Sequence, residues 1–140
     1  MIEQNACVGG DRNFEVVVSA RSLRSVDGVA MPHRWTAQGV VVETDFTGAH
    51  LYHLAAAGCI LNDVYREAAR LGIAIDGVRV CAYGDFDQST WKSTEIEYEI
   101  DVASGASASD IGSLIGLVDE VAEIPRALRA GATVVRRTSG

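Results

Sequence analysis

The sequence lacks most of the features that would place it in a familiar activity class at sight. No apolar run reaches the ~18 residues needed to span a bilayer, and Met1-Ile-Glu-Gln-Asn5 has no basic region leading into an apolar one, so neither a membrane anchor nor a secretory leader is expected. Positive charge is in deficit: Lys and Arg total 12 against 19 Asp and Glu, a net charge of −7. That balance argues against nucleic acid or an anionic membrane as a partner. Cysteine is scarce too. Cys7, Cys59 and Cys81 form an odd set without CxxC spacing, which excludes a disulfide framework and predicts reduced thiols in a cytoplasmic protein. GxGxxG and P-loop patterns are missing, and Gly9-Gly10 lacks the helix that phosphate binding needs. There is no serine nucleophile elbow, internal repeat, low-complexity tract or interdomain linker.

What remains is a chain of 140 residues, 48% hydrophobic and 22% charged, enough for one domain over 1–140 with a real core. Strands are predicted at 14–21, more weakly at 25–30 with a turn at Asp27-Gly28, and at 39–44. A long helix follows from about Gly48 to Leu71, stopped by Gly72. Val78, Val80, Ala82 and Phe86 then alternate with Arg79, Cys81, Tyr83 and Asp85, a strand with two different faces. After a short link at 88–91, Ile96, Tyr98, Ile100 and Val102 alternate with Glu95, Glu97, Glu99 and Asp101, so one face of this strand is expected to meet water. Ser107 and Asp110 have capping-box spacing ahead of Ile111, Leu114, Ile115, Val118 and Ala122, an amphipathic helix. Pro125 to Gly131 reads as a short helical turn and 132–136 as a last strand. The order predicts an α+β fold, with a long helix and a second helix packed on an antiparallel or mixed sheet.

The segment Leu51 to Leu61 is nearly apolar all round, and a helix apolar on every side is usually enclosed on every side. One sheet and one short helix do not suffice for that. The side carrying Cys59, in line with Tyr52, Asp63, Arg66 and Arg70, is therefore expected to face another subunit or a pocket. Pattern alone leaves Cys59 as either a small buried hydrophobe or a thiol held at such a surface.

From Thr47 to Asp87 the chain resembles the OsmC/Ohr family of organic hydroperoxide reductases. The resemblance rests on Ala55-Ala-Ala-Gly-Cys59, on Leu71-Gly-Ile-Ala-Ile-Asp-Gly-Val-Arg-Val80, and on Gly84-Asp-Phe-Asp87. It continues more loosely through Ile124-Pro-Arg-Ala-Leu-Arg-Ala-Gly131. It implies an OsmC-like intertwined homodimer with the site at the subunit interface. It also implies a thiol at Cys59 that attacks a peroxide, a second cysteine that resolves the sulfenic acid, and an arginine and a glutamate that activate the thiol. Two of these parts are missing: Ile124 stands where the second cysteine is expected and Ala49 where the glutamate is expected. Arg12, Arg21, Arg24 and Arg34 are all candidates for the arginine. Cys81 reads as structural filler, and Cys7 as a thiol with reach but no fixed geometry.

Two functions follow as expectations. One is a thiol-dependent, hydroperoxide-reductase-related enzyme, part of a stress response, that uses Cys59 with an external thiol. The other is a divergent member without peroxidase activity, which binds a small apolar or peroxide-like ligand or runs another reaction in the interface pocket. His50 and His53 are candidate catalytic residues beside Cys59, with His50 as a general base next to the lost glutamate. Their three-residue spacing also suits a shared metal, but hydrogen bonding near the helix start is the favoured role, so no metal or cofactor is assigned.

Overall fold

The computed structural model describes residues 12–138. Five strands and three helices follow in order: β1 (Val16–Arg21), β2 (Val29–Met31), β3 (Val40–Glu43), α1 (Gly48–Leu71), β4 (Gly77–Phe86), β5 (Ser93–Ala103), α2 (Ala108–Val121) and α3 (Glu123–Ala130). The strands form one sheet in the order β2-β3-β1-β4-β5, and every neighbouring pair is antiparallel. The fold is α+β, as the alternation of strand and helix patterns predicts.

Helix α1 has the bounds its sequence predicts, for local reasons. Thr47 accepts the His50 N–H at its side-chain oxygen, 3.1 Å away, capping the first turn. At the other end Gly72 takes φ 73°, and the N–H of Ile73 returns to the Ala68 carbonyl at 2.9 Å. One face of α1, with Ala57, Ile60, Leu61 and Val64, packs on the inward side chains of β1, β3 and β4, including Val16, Val18, Val42, Val78, Val80 and Ala82. Leu114, Val118 and Ala122 of α2 and its exit close that core. Helix α2 starts as expected, with the Ser107 hydroxyl accepting the Asp110 N–H at 3.1 Å.

Three local expectations are corrected. Strand β2 covers Val29–Met31 rather than 25–30, because Ser25 is tied by its N–H and hydroxyl to Ser19 and Glu43, not to the ladder. Residues 132–136 form no strand: neither edge of the sheet receives them, so their backbone groups have no ladder to join, and Val134 is 93% exposed. The acidic face of β5 is only partly wet. Asp101 is buried, and Glu99 accepts hydrogen bonds from Arg12 and Tyr83, so the outer face carries a polar cover at that end.

The side of α1 that carries Leu51, Tyr52, Ala55 and Cys59 is not closed within one chain: Ala55 is exposed and the other three are half-buried. Among the described residues, no helix is long and apolar enough to cross a membrane.

Candidate functional site

On α1, Tyr52, Ala56, Cys59 and Asp63 are three or four residues apart and so share one face. Arg66 and Glu67 follow one turn on. Helix α3 lies across this face and brings Glu123 to it. The sulfur of Cys59 is 4.0 Å from Asp63 Oδ2 and 3.9 Å from Glu123 Oε1, so the thiol sits between two carboxyl groups. Arg66 binds both of them, at 3.2 Å to Asp63 and 2.8 Å to Glu123, and also Glu67 at 3.0 Å. Glu67 is buried and takes a second cation, Arg70, at 2.6 Å.

This arrangement sets the protonation states. Burial pushes the Cys59 thiol up; the backbone N–H of Ile124 pulls the other way, and the charges of Asp63 and Glu123 push it up further. Burial also raises Asp63, to about 6, against the pull of Arg66 and with the help of the neighbouring Glu123 charge. Glu123, largely in water, is lowered to about 2, first by its hydrogen bond with Arg66. The two carboxyls are thus driven apart, Asp63 toward the acid and Glu123 toward the anion, and Asp63 can donate to Glu123. The thiol is left neutral. The Cys59, Asp63 and Glu123 ligand atoms lie within 4.8 Å of one another, a donor set that suits a cation, but the cation in place is the Arg66 guanidinium.

The residues expected from sequence fall in different places. His53 is fully buried among Phe14, Tyr52 and Phe86; its Nδ1 is 2.7 Å from the Ala49 carbonyl and its Nε2 has no partner among the described residues. His50 holds Thr47 through Nδ1 at 2.7 Å and lies near Asp45. Both form hydrogen bonds at the helix start, and the polar groups around the Cys59 sulfur are Asp63, Glu123 and the α3 backbone instead. Within the chain, the four candidate arginines serve elsewhere. Arg12 contacts Cys81, Glu15 and Glu99, Arg21 and Arg24 donate to backbone carbonyls, and Arg34 lies over Trp35. Arg66 is the guanidinium of the site. Cys81 is buried on the sheet face opposite α1, beside Val17, so the sheet separates it from Cys59. Cys7 lies outside the described residues. Trp35 packs on the core and lines a cleft of about 350 Å³ with His33, while Trp91 is exposed at the β4–β5 turn.

Glu67 and Glu123 are thus residues that sequence reasoning did not single out, while Asp63 and Arg66 are placed in line with Cys59 by the sequence without a role assigned to them. The spacing of Cys59, Asp63 and Arg66 was a signal, since four and three residues place them on one helix face. Glu123 had none, because its partner is on another element.

The sequence matches the family described as "OsmC-like protein" over residues 42–136. The chain belongs to the OsmC-like family. No curated protein matches it. Among solved structures, it is similar to an OsmC-like hydroperoxide resistance protein from Jannaschia sp. CCS1, at 16% identity and a TM-score of 0.48, covering 91% of this chain and 95% of that one. In this OsmC-like protein, Ile124 occupies the position where the resemblance implies a second cysteine, and its backbone N–H reaches the Cys59 sulfur.

Proposed function

We propose that this OsmC-like protein does not run a two-cysteine peroxidase cycle and instead uses the pocket beside Cys59 to hold a small molecule. The observation that carries this reading is the position of the Cys59 sulfur, 4.0 and 3.9 Å from two carboxyl groups, with no cation bonded to the sulfur among the described residues. A nucleophilic thiol needs its anion stabilised, and two acidic neighbours do the opposite. In this reading Asp63 is the proton-holding group of the site, and His50 and His53 act at a distance by fixing the start of α1.

The unclosed side of α1 and the exposed Val134 and Val135 support a homodimer, with the second copy covering both. A reducing, cytoplasmic setting suits the free thiols Cys59 and Cys81. The half-buried state of Cys59 leaves the sulfur reachable, and this favours the second reading, a one-cysteine hydroperoxide reductase recycled by an external thiol.

Consumption of an organic hydroperoxide in the presence of a dithiol decides between them. The expected result is no turnover above that of Cys59→Ser. Turnover that disappears in Cys59→Ser supports the reductase.

A further inference from the structure

Helix α3 buries little of itself. Of its eight residues, only Pro125 is buried and Leu128 half-buried; the rest are exposed. Those two side chains border a cavity of about 320 Å³ whose walls include Tyr52 and Ala56 of α1 and Ile96 and Tyr98 of β5. Among the described residues no side chain caps the first turn of α3. A helix of this length does not hold its shape alone in water. Its junction with α2 is a single residue, Ala122, which takes φ −62° and ψ 120° between the two helices. Ala122 is buried with Leu114 and Val118 in the core, so the end of α2 is anchored and α3 begins at a hinge.

What clasps α3 to α1 is electrostatic. Glu123 is the first residue of α3, and Arg66 of α1 binds it at 2.8 Å. The Asp63 carboxyl, when protonated, donates a hydrogen bond to Glu123. The groups facing Asp63 are Cys59, Arg66 and Glu67 from its own helix and Glu123 from α3. From α2, Asp119 accepts the Tyr98 hydroxyl instead, and Asp110 and Glu120 are exposed. The strands beneath α1 turn valine and alanine to it. With Asp63 protonated, the carboxylates of Glu67 and Glu123 are matched by the guanidinium groups of Arg66 and Arg70. Loss of that proton to solvent removes a donor and leaves three carboxylates against two cations. Asp63 and Glu67 are fixed on α1 beside Arg66. Glu123 sits on the weakly held element, so it is the carboxylate that repulsion can move.

We propose that α3 is a pH-released strap, turning on Ala122 and clasped through Glu123, which lifts from Cys59 and from the cavity when Asp63 gives up its proton. The device holds for either reading of Cys59, because it governs access to the sulfur and not what the sulfur does. Its sign follows from burial. With α3 docked, the Asp63 carboxyl is held at about 6; with α3 lifted, water reaches it and it returns toward its ordinary 3.8. The docked state thus binds the proton more tightly. Docking is strongest below the ordinary value and weakens as pH rises through about 6.

Hydrogen exchange of the full chain at about pH 5 and about pH 7.5, corrected for the intrinsic pH dependence of exchange, tests this. The amides from Arg126 to Gly131 are expected to exchange faster than those of β4 at both, and to lose about tenfold or more of their protection at the higher pH. Asp63→Asn stays neutral and can still donate to Glu123, so it should keep the protection of the lower pH at both. Glu123→Gln should likewise remove the pH dependence. Glu123 is exposed, so its replacement leaves the core intact and carries the test alone if Asp63→Asn does not fold. Amides of α3 that exchange only together with those of β4 would mean that α3 opens only when the whole domain unfolds, which overturns the proposal. Equal α3 protection at the two pH values in the parent protein, or a pH dependence that survives in either folded variant, overturns it as well.

Discussion

The sulfur of Cys59 on α1 stands 3.9 Å from Oε1 of Glu123 on α3, and Glu123 immediately precedes the residue whose backbone N–H also reaches that sulfur. Two elements far apart in sequence thus meet at one thiol. Acid groups meet it from both elements, and the guanidinium of Arg66 beside them is spent on the carboxyls.

The first consequence is kinetic. Cys59 should alkylate slowly near neutral pH, with a rate inflection above the ~8.5 of a free thiol, because burial and then the Asp63 and Glu123 charges raise it. Removing both charges with Asp63→Asn and Glu123→Gln should move the inflection down. Mass-spectrometric alkylation rates over a pH series provide the check. An inflection well below ~8.5 in the parent protein would mean an activated nucleophile.

Oxidation gives a second test. A hydroperoxide should not produce an intramolecular disulfide at Cys59, since Cys81 lies across the sheet and position 124 is isoleucine. Ile124→Cys should restore one, because the backbone of that residue already faces the Cys59 sulfur. Peptide mapping after a brief oxidant pulse distinguishes the two proteins. A rapid Cys59–Cys81 bridge in the parent protein would show that the sheet is no barrier.

Much of this was legible in the sequence because it depends on local chemistry. Thr47 and Gly72 announce both ends of α1, and the alternation from Val78 to Val102 gives the β4–β5 hairpin. The failures share a cause. Residues 132–136 have the composition of a strand, but a strand also needs an edge to pair with, and composition does not supply one. The acidic side chains of β5 suggest a solvated face until Arg12 and Tyr83, distant in sequence, fold over Glu99. At the site, Cys59 could be singled out by its place on the helix. Glu123 could not, because its role exists only once α3 crosses α1.

Arg66 should matter more to stability than its partial exposure suggests. It pairs with Asp63, Glu67 and Glu123, and the first two are buried. Arg66→Ala strands a buried carboxylate at Glu67, with only the mostly exposed Arg70 left to balance it. A loss of about 1–4 kcal/mol in denaturant unfolding is expected, most of it the cost of uncompensated buried charge. A loss under about 0.5 kcal/mol would place Arg66 among ordinary surface pairs.

Asp63 supplies a pH dependence whose sign can be worked out. Its carboxyl is held at about 6 in the folded chain, chiefly by burial, against the ordinary aspartate value of 3.8. The folded state therefore binds the proton more tightly than the unfolded state does. Its contribution to stability is fully present below the unfolded value and is lost as pH rises through the folded one. Glu123 is displaced the other way, to about 2, so its contribution is full above the ordinary glutamate value of 4.5 and lost progressively below it, which opposes the Asp63 trend only at the acidic edge of this window. Stability should fall by about 1–3 kcal/mol between about pH 4 and pH 7 on account of Asp63, since each tenfold difference in proton affinity is worth ~1.4 kcal/mol. Asp63→Asn removes the titration while keeping a hydrogen-bonding side chain toward Glu123, so its stability should be flatter over the same range. Thermal unfolding of both proteins at matched ionic strength measures the difference. Parallel curves would mean that Asp63 is ionised throughout, which would remove the proton-holding group from the site.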